Sequence, residues 1–284
     1  MKLSKIFALL LALCLISSAA CAATFTDAHG NVIELDDSLE AYAAVTLVGA
    51  DNAARQGETN LGDLWADALR WFAVSGEINA AFDEDDVKAG NDRIAVDADH
   101  VVALWNGGNL RADIAEGTFG AEALAEVLPF PNKVAVVYMT GAQLLETLEA
   151  ASQGLPYTAE TADACASLMQ VSGLTYTVDT AKAYDALEAY GDHWFTAGSV
   201  SRVRIDDVNG QPFDAEATYA VVTSNANFNG MDSSYVLKAA AEANEQSTVT
   251  TAVVRDVVFH FIASELNHQV GEAYAAPQGR LTVL

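Results

Sequence analysis

From Leu61 onward the apolar residues fall at Leu61, Leu64, Trp65, Ala68, Leu69 and Phe72. That is the i, i+3, i+4, i+7 spacing of an amphipathic helix, and Gly76 marks its end. The run 101–105 is apolar throughout, as a strand buried on both faces must be. A helix over 121–127 is expected to stop ahead of Pro129, because the residue before a proline resists the α conformation. Residues 134–139 read as a strand. Thr140-Gly-Ala-Gln143 then has the spacing of a capping box, so a helix should run on through Leu144, Leu145, Leu148 and Glu149. Further strands are expected at 174–178, 203–205 and 219–223, with Asn209-Gly210 turning a tight hairpin between the last two. A final helix over about 251–266 carries Val254, Val257, Val258, Phe261 and Ile262 in helical period. Ahead of all these, residues 24–35 alternate around His29-Gly30-Asn31 and read as a small hairpin. Strands and helices in mixed order, with no internal repeat or Pro-rich linker, predict a mixed α/β (α+β) fold, a layered sandwich of helices and mixed sheet.

The first residues change the picture of where the chain works. Lys2 and Lys5 precede an apolar run over 6–16, too short for a bilayer, followed by Ala20-Cys21-Ala22. This is the pattern of an export signal. Ser18-Ala-Ala-Cys21 also approximates a lipobox, so plain cleavage and lipid anchoring through Cys21 both stay open. The expected organisation is a signal over 1–22, a hairpin extension over 23–46 and one domain over 47–284, exported to the periplasm, the medium or the cell surface. No later run is long enough for a transmembrane helix.

Charge narrows the partners. Thirty-nine acidic against 14 basic side chains give a formal charge of −25, which excludes the basic surface that a nucleic-acid polymer or an anionic membrane requires. Hydrophobic content of 51% suffices for a core. Beyond the signal only Cys165 remains, with no neighbouring base or cation to activate it. The acidic run 83–86 lacks the spacing of a calcium loop and is expected to be a solvated turn.

Candidate chemistry centres on Val101-Val-Ala-Leu-Trp-Asn106-Gly-Gly-Asn109-Leu-Arg111, an apolar strand running into a glycine turn with an Arg beyond it. Glycines let backbone approach a ligand, and an Arg suits an anion or a polar edge. Together with Gly117-Thr-Phe-Gly, Val127-Leu-Pro-Phe130, the strand and Thr140-Gly141, this stretch resembles the C-terminal domain of the 5'-nucleotidase family. Upstream, Arg55-Gln-Gly-Glu58-Thr-Asn-Leu-Gly-Asp63-Leu64 is similar to that family's opening helix motif. Downstream, Val171-Ser-Gly-Leu174 and residues 219–232 are similar to its central and closing strands. The resemblance covers about residues 47–284.

It implies that the chain holds the nucleoside part of a nucleotide, while a separate metallophosphoesterase with two metal ions performs the hydrolysis. Asn106 and Arg111 match substrate-contacting residues of the family's Asn-Gly-Gly-Gly-Ile-Arg motif, and Phe130 matches a ring that stacks on the base. Arg55 matches an Arg near the substrate in some members. Asp232 matches the Asp of a Gly-Gly-Asp turn near the ribose hydroxyls. Asn109 replaces the third glycine, which the left-handed tolerance of Asn would allow. Ala226 stands where the family has its second stacking aromatic, and Met231 replaces a glycine of the closing turn. Phe228, two residues along, would face the same side if the segment were a strand and would take over the missing ring.

No catalytic residue is expected in the chain. Asp27-Ala-His29 and Gly191-Asp-His193 imitate pieces of a two-metal site, but H-x-H is missing from the sequence, and His260 and His268 are expected to cap or flank the last helix. Divalent metals are therefore expected only on a separate catalytic partner, with no cofactor in this chain. Two other readings stand beside this one. The chain could be an extracytoplasmic ligand-binding or interaction protein that kept the scaffold and lost the nucleotide, or a self-sufficient hydrolase dependent on His29 or His193.

Overall fold

The computed structural model describes residues 40–284, together with the backbone of 23–26 and 32–35. Strands β1 (Ala23–Thr26) and β2 (Val32–Leu35) pair antiparallel, as the alternation predicts. The turn at His29 and the segment 1–22, with Cys21 and the expected export signal, lie outside the described residues. Strand β3 (Glu40–Ala43) already belongs to the folded body, with Ala41 and Ala43 fully buried, so that body begins earlier than residue 47. After a single-turn helix α1 (Ala53–Gln56) comes α2 (Asn60–Val74), whose N-terminus is capped by Thr59 accepting from the Gly62 N–H. Leu61, Leu64, Trp65, Ala68 and Leu69, the positions picked out by periodicity, are all solvent-free.

The acidic run is not a free turn. Asp83 caps α3 (Glu84–Ala89), accepting from the N–H groups of Asp85 and Asp86. Carboxylates in a first turn complement the positive end of the helix dipole, which explains their density there. Strand β4 (Val101–Asn106) is buried along its whole length. After β5 (Gly117–Gly120), helix α4 (Ala121–Val127) ends at the boundary set by Pro129. Strand β6 (Lys133–Thr140) leads into α5 (Gly141–Ala151) through the expected capping box: Thr140 Oγ1 accepts from the Gln143 N–H at 3.2 Å, and Gln143 Oε1 accepts from the Thr140 N–H at 2.9 Å.

Next come β7 (Met169–Ser172), β8 (Leu174–Val178), β9 (Ala186–Ala189), β10 (Phe195–Ala197) and β11 (Val203–Val208). Strand β12 (Thr218–Ser224) is followed by α6 (Asn225–Phe228) and α7 (Tyr235–Ala243). Asn209 and Gly210 do turn the chain, with φ of 51° and 77°, but the strands on either side do not form a hairpin. β11 pairs with β8 and β12 with β4 and β6, so the turn closes only a bridge from Val208 to Gln211. Residues 251–253, expected in the last helix, instead finish strand β13 (Thr248–Val253), and α8 (Val254–Ser264) starts after them. Two short strands, β14 (Gln269–Val270) and β15 (Leu281–Val283), complete the body.

The central sheet runs β13-β6-β12-β4-β7, with β12 and β4 parallel and the other neighbours antiparallel. Its two faces follow the strand period of two. Val101, Ala103, Trp105, Val136, Tyr138 and Val222 face a core shared with α2 and α8, where Trp65 meets Trp105 at 6.1 Å between rings. Val102, Leu104, Val137, Met139 and Val221 face a second core built with α5, α7 and the three-stranded sheet β11-β8-β15. This is the expected layered α/β sandwich, and truncating Trp65 or Trp105 to Ala should cost about 3–5 kcal/mol.

The C-terminal segment is fastened to α2 and the turn before it by carboxylates. Glu58 accepts from the N–H groups of Arg280 and Leu281, both at 3.0 Å, and Asp67 receives Arg280 Nη2 at 2.8 Å and the Tyr274 hydroxyl at 3.0 Å. Asp63, fully buried between them, accepts from the Gln278 N–H at 3.0 Å, while its Oδ1 has no hydrogen-bond donor. Burial, then the charge of Glu58, pushes its carboxyl up to about 8, against the opposing pull of Arg280. The native state thus keeps a proton on Asp63 that the unfolded chain releases near its ordinary value of about 3.9. Because the folded form binds the extra proton, this group erodes stability as pH rises from about 4 to about 8 and adds no further loss above that window. Asp63→Asn, which keeps the shape without the charge, should raise Tm at pH 8 by several degrees. It should also flatten the decline in Tm between pH 4 and 8. Identical pH profiles for variant and wild type would show that Asp63 does not hold the proton.

Candidate nucleotide-binding cleft

The topology brings four loops to one end of the central sheet. β4 and β12 are parallel neighbours, so their carboxyl ends, Asn106 and Ser224, leave the sheet on the same side. Ser224 lies opposite Val134 near the start of antiparallel β6, which puts the preceding loop with Phe130 there too. Asn106 lies opposite Met169, which adds the loop entering β7. A crevice at the carboxyl ends of parallel strands is a frequent place for ligands in α/β sheets.

Between these loops lies a cleft of about 660 Å³ lined by Gly108, Asn109, Arg111, Phe130, Pro131, Asn132, Ala166, Asn225, Ala226, Asn229, Gly230, Met231 and Asp232. Its floor depends on close backbone packing. A Cβ on Gly107 would sit 1.9 Å from the Ala54 carbonyl oxygen, and one on Gly108 would sit 2.7 Å from the Ala166 carbonyl oxygen. Neither approach is possible for a larger residue. Asn109 needs no left-handed conformation, contrary to the expectation for a glycine substitute, since it is not among the residues with positive φ. It lies instead in a 3₁₀ turn over 107–109, and its Nδ2 donates to Asn106 Oδ1 at 2.9 Å.

Arg111, Phe130 and Asp232 all line the cleft. The Arg111 guanidinium carbon lies 5.8 Å from the centre of the half-exposed Phe130 ring, at cation–π range. Asn106 does not line the cleft. It is buried behind the wall and donates its Nδ2 to Asp232 Oδ2 at 2.9 Å. Its amide thus bridges the glycine turn and the closing loop, accepting from Asn109 and donating to Asp232. Arg55 likewise backs the cleft, with Nη1 donating to the Ala162 carbonyl at 2.9 Å and 3.9 Å from Asp163.

Phe228 faces elsewhere. Ser224 caps a helix at this point, accepting from the Asn227 N–H, so the segment is α6 and not a strand. On a helix, two residues turn a side chain to the far side, and Phe228 packs against the second core. The amides Asn132, Asn225 and Asn229 join the lining without having been singled out by sequence. The Asn132 position, two residues past Phe130 and just before β6, is the available signal.

Two charges in the cleft are perturbed. Burial raises the Asp232 carboxyl above its ordinary range, opposed by Arg55, the Asn106 hydrogen bond and Arg111. Burial, then the like charge of Arg55, lowers the Arg111 guanidinium, opposed by Asp232. The cleft thus combines a carboxylate, a guanidinium and an aromatic ring, groups able to contact a flat ring, vicinal hydroxyls and an anion.

Among the described residues no group of three or more His, Cys, Asp or Glu side chains is placed to hold a metal ion. His193 is exposed, 3.8 Å from Asp163, and His260 lies 3.8 Å from Glu77. His268 lies beyond the helix end, with Nδ1 2.9 Å from the Glu40 carbonyl oxygen. Cys165 is buried, and burial raises its thiol, which leaves it unreactive. Among the described residues no helix is long and apolar enough to cross a membrane.

The family model for the 5'-nucleotidase C-terminal domain matches residues 40–239. The trifunctional nucleotide phosphoesterase protein YfkN of Bacillus subtilis is 28% identical over 188 residues, which make up 65% of this chain and 10% of that protein. The solved structure of a 5'-nucleotidase precursor from Thermus thermophilus superposes with a TM-score of 0.61 at 30% identity, covering 86% of this chain and 39% of the other. The NAD nucleotidase of Haemophilus influenzae, 16% identical, shares the fold with a TM-score of 0.56 over 86% of this chain and 38% of its own. The chain thus spans about a tenth of the curated relative and about two fifths of these solved proteins. With the family model matching through both the glycine turn and the closing loop of the cleft, the chain belongs to the 5'-nucleotidase C-terminal domain family.

Proposed function

We propose that this chain is an exported nucleoside- or nucleotide-recognition domain that contributes substrate binding to phosphate-ester hydrolysis, with the bond-breaking chemistry supplied by a metallophosphoesterase outside it. The observation that carries the reading is the convergence of Arg111, Phe130 and Asp232 on one cleft. The names of the relatives, a nucleotide phosphoesterase and a 5'-nucleotidase, point the same way. In this reading the base lies on the Phe130 face, a contact that tolerates any base. Asp232, held by Asn106, accepts from the two ribose hydroxyls, and Arg111 takes the phosphate or a base edge. Asn132, Asn225 and Asn229 supply donors and acceptors to the rim of the base. No residue of this chain is assigned a step in bond cleavage.

A second reading rests on the lining itself: Ala226 and the exposed Met231 stand where relatives of the family type carry a ring and a glycine. On that reading the scaffold serves a different ligand.

Thermal-shift titration with adenosine, AMP and inorganic phosphate separates the two. Ligand at about 100 times its Kd should stabilise the wild type by about 2.7 kcal/mol, and Phe130→Ala should cost about 1–3 kcal/mol of that binding. No shift with either nucleoside or nucleotide would transfer the chain to the second reading.

The raised Asp232 carboxyl sets a pH dependence. The ionised form accepts from the ribose, so adenosine affinity should fall as pH drops through that raised value, earlier than for an ordinary carboxylate. Calorimetric titrations at successively lower pH should show this decline in the wild type. They should show a weaker, flat response in Asp232→Asn.

A further inference from the structure

Between β8 and β11 the chain makes an excursion that the nucleoside reading leaves without a role. Strands β9 and β10 form an antiparallel arm, and every residue from 186 to 195 is exposed except Tyr190 and Trp194 at its tip. Those two reach the two loops that flank the cleft. The Tyr190 hydroxyl donates to the Gly230 carbonyl at 2.9 Å, and the Trp194 indole N–H donates to the Ala164 carbonyl at 3.3 Å. Gly230 itself lines the cleft, as does Ala166, two residues past Ala164. The arm is in turn registered on α7. The Tyr190 and Tyr235 rings lie 5.6 Å apart, and the Tyr235 hydroxyl accepts from the Ala197 N–H at 2.9 Å while donating to Glu146 at 2.8 Å.

The contact at Gly230 bears directly on Asp232, two residues further along the chain. Asp232 sits at φ 57°, in the left-handed region, which Asp adopts more readily than most residues when hydrogen bonds hold it there. Asn106 fixes its side chain from within, and Tyr190 fixes the backbone two residues before it from the solvent side. The fit is close, since a Cβ on Gly230 would lie 2.2 Å from the Tyr190 hydroxyl oxygen.

We propose that Tyr190, at the tip of the β9–β10 arm, is a positioning residue that holds the Gly230–Asp232 loop so that Asp232 meets the ribose hydroxyls, and thereby sets the preference for nucleosides over free bases. The proposal rests on the nucleoside reading of the cleft. It separates two kinds of contact: stacking on Phe130 is indifferent to Tyr190, whereas the ribose contact depends on it.

The test is calorimetric titration of adenosine and of adenine into the wild type, Tyr190→Phe, Asp232→Asn and the double variant. Tyr190→Phe should keep the wild-type Tm and adenine affinity while losing roughly five- to tenfold in adenosine affinity, the scale of one net hydrogen bond. In the Asp232→Asn background the same change should have no further effect, because both act on one contact. Equal losses for adenosine and adenine, or full additivity with Asp232→Asn, would overturn the proposal and leave Tyr190 a structural residue. If Tyr190→Phe lowers Tm, the additivity in the double variant still decides. A wild type that binds neither ligand removes the nucleoside reading itself, and the proposal falls with it.

Discussion

The parallel pairing of β4 with β12 is the constraint on which the cleft depends. Ala220 lies opposite Val101 and Val222 opposite Ala103, and β12 is held on its other edge by β6, with Ser224 opposite Val134. These registers make the ends of β4 and β12 coincide with the beginnings of β6 and β7, so four loops of distant sequence meet. A slip of one residue would move Trp105 and Ala103 from one core to the other, which the burial of both faces forbids. The site is therefore placed by the same apolar packing that stabilises the domain, and it needs no special bond of its own.

The scarcity of cations sharpens this arrangement. With 14 basic residues against 39 acidic ones, several arginines are committed to backbone carbonyls. Arg70 donates to Val101 and Ala98, Arg202 to Ser152 and Leu155, Arg280 to Val171, and Arg55 to Ala162. Glu149 takes a complementary role as a buried acceptor for the N–H groups of Arg202 and Val203. Arg111 is the cation left in the cleft lining. Against a strongly negative molecule, this guanidinium is the cationic contact that the cleft offers an anion, beside the carboxylate of Asp232.

How much of this is legible in the sequence depends on whether the signal is local. Pro129 and the Thr140–Gln143 box are local, and α4 and α5 have the ends they imply. The continuous apolar runs of β4 and β6 also identify strands covered on both faces. The Asn209-Gly210 dipeptide marks a turn, but it does not name the strands that pair. β11 alternates buried and exposed residues while β12 is buried almost throughout, so the two belong to different layers, and that contrast is present in the sequence. Residues 251–253, Thr-Ala-Val, fit either period, and only pairing with β6 makes them a strand. In the cleft, the resemblance singles out Arg111, Phe130 and Asp232. It does not distinguish lining from support, because whether Asn106 faces ligand or Asp232 is decided by a loop more than a hundred residues away. For Phe228 the Ser224 cap is the decisive signal, and it turns the ring into the core.

The cleft is aromatic on one side only. Phe130 supplies a ring, while Ala226 and the flexible, polarisable Met231 stand in the lining from the closing loop. Under the proposed nucleoside function, a base held by one ring would gain about 1–3 kcal/mol from stacking, and a thioether would add a weaker contact with a less defined geometry. Such a site discriminates poorly by the face of the base. Selectivity must then come from directional groups: the carboxylate of Asp232, fixed by Asn106, and the amides of Asn132, Asn225 and Asn229 around the rim. Hydrogen-bonding groups in a partly desolvated wall penalise a ligand that leaves them unpaired, so they reject more strongly than a stacking face attracts. On the nucleoside reading, a cleft with one ring would shift recognition from the flat surface of the ligand to its polar edge and its sugar, and the placement of the 230–232 loop would be the feature on which affinity turns.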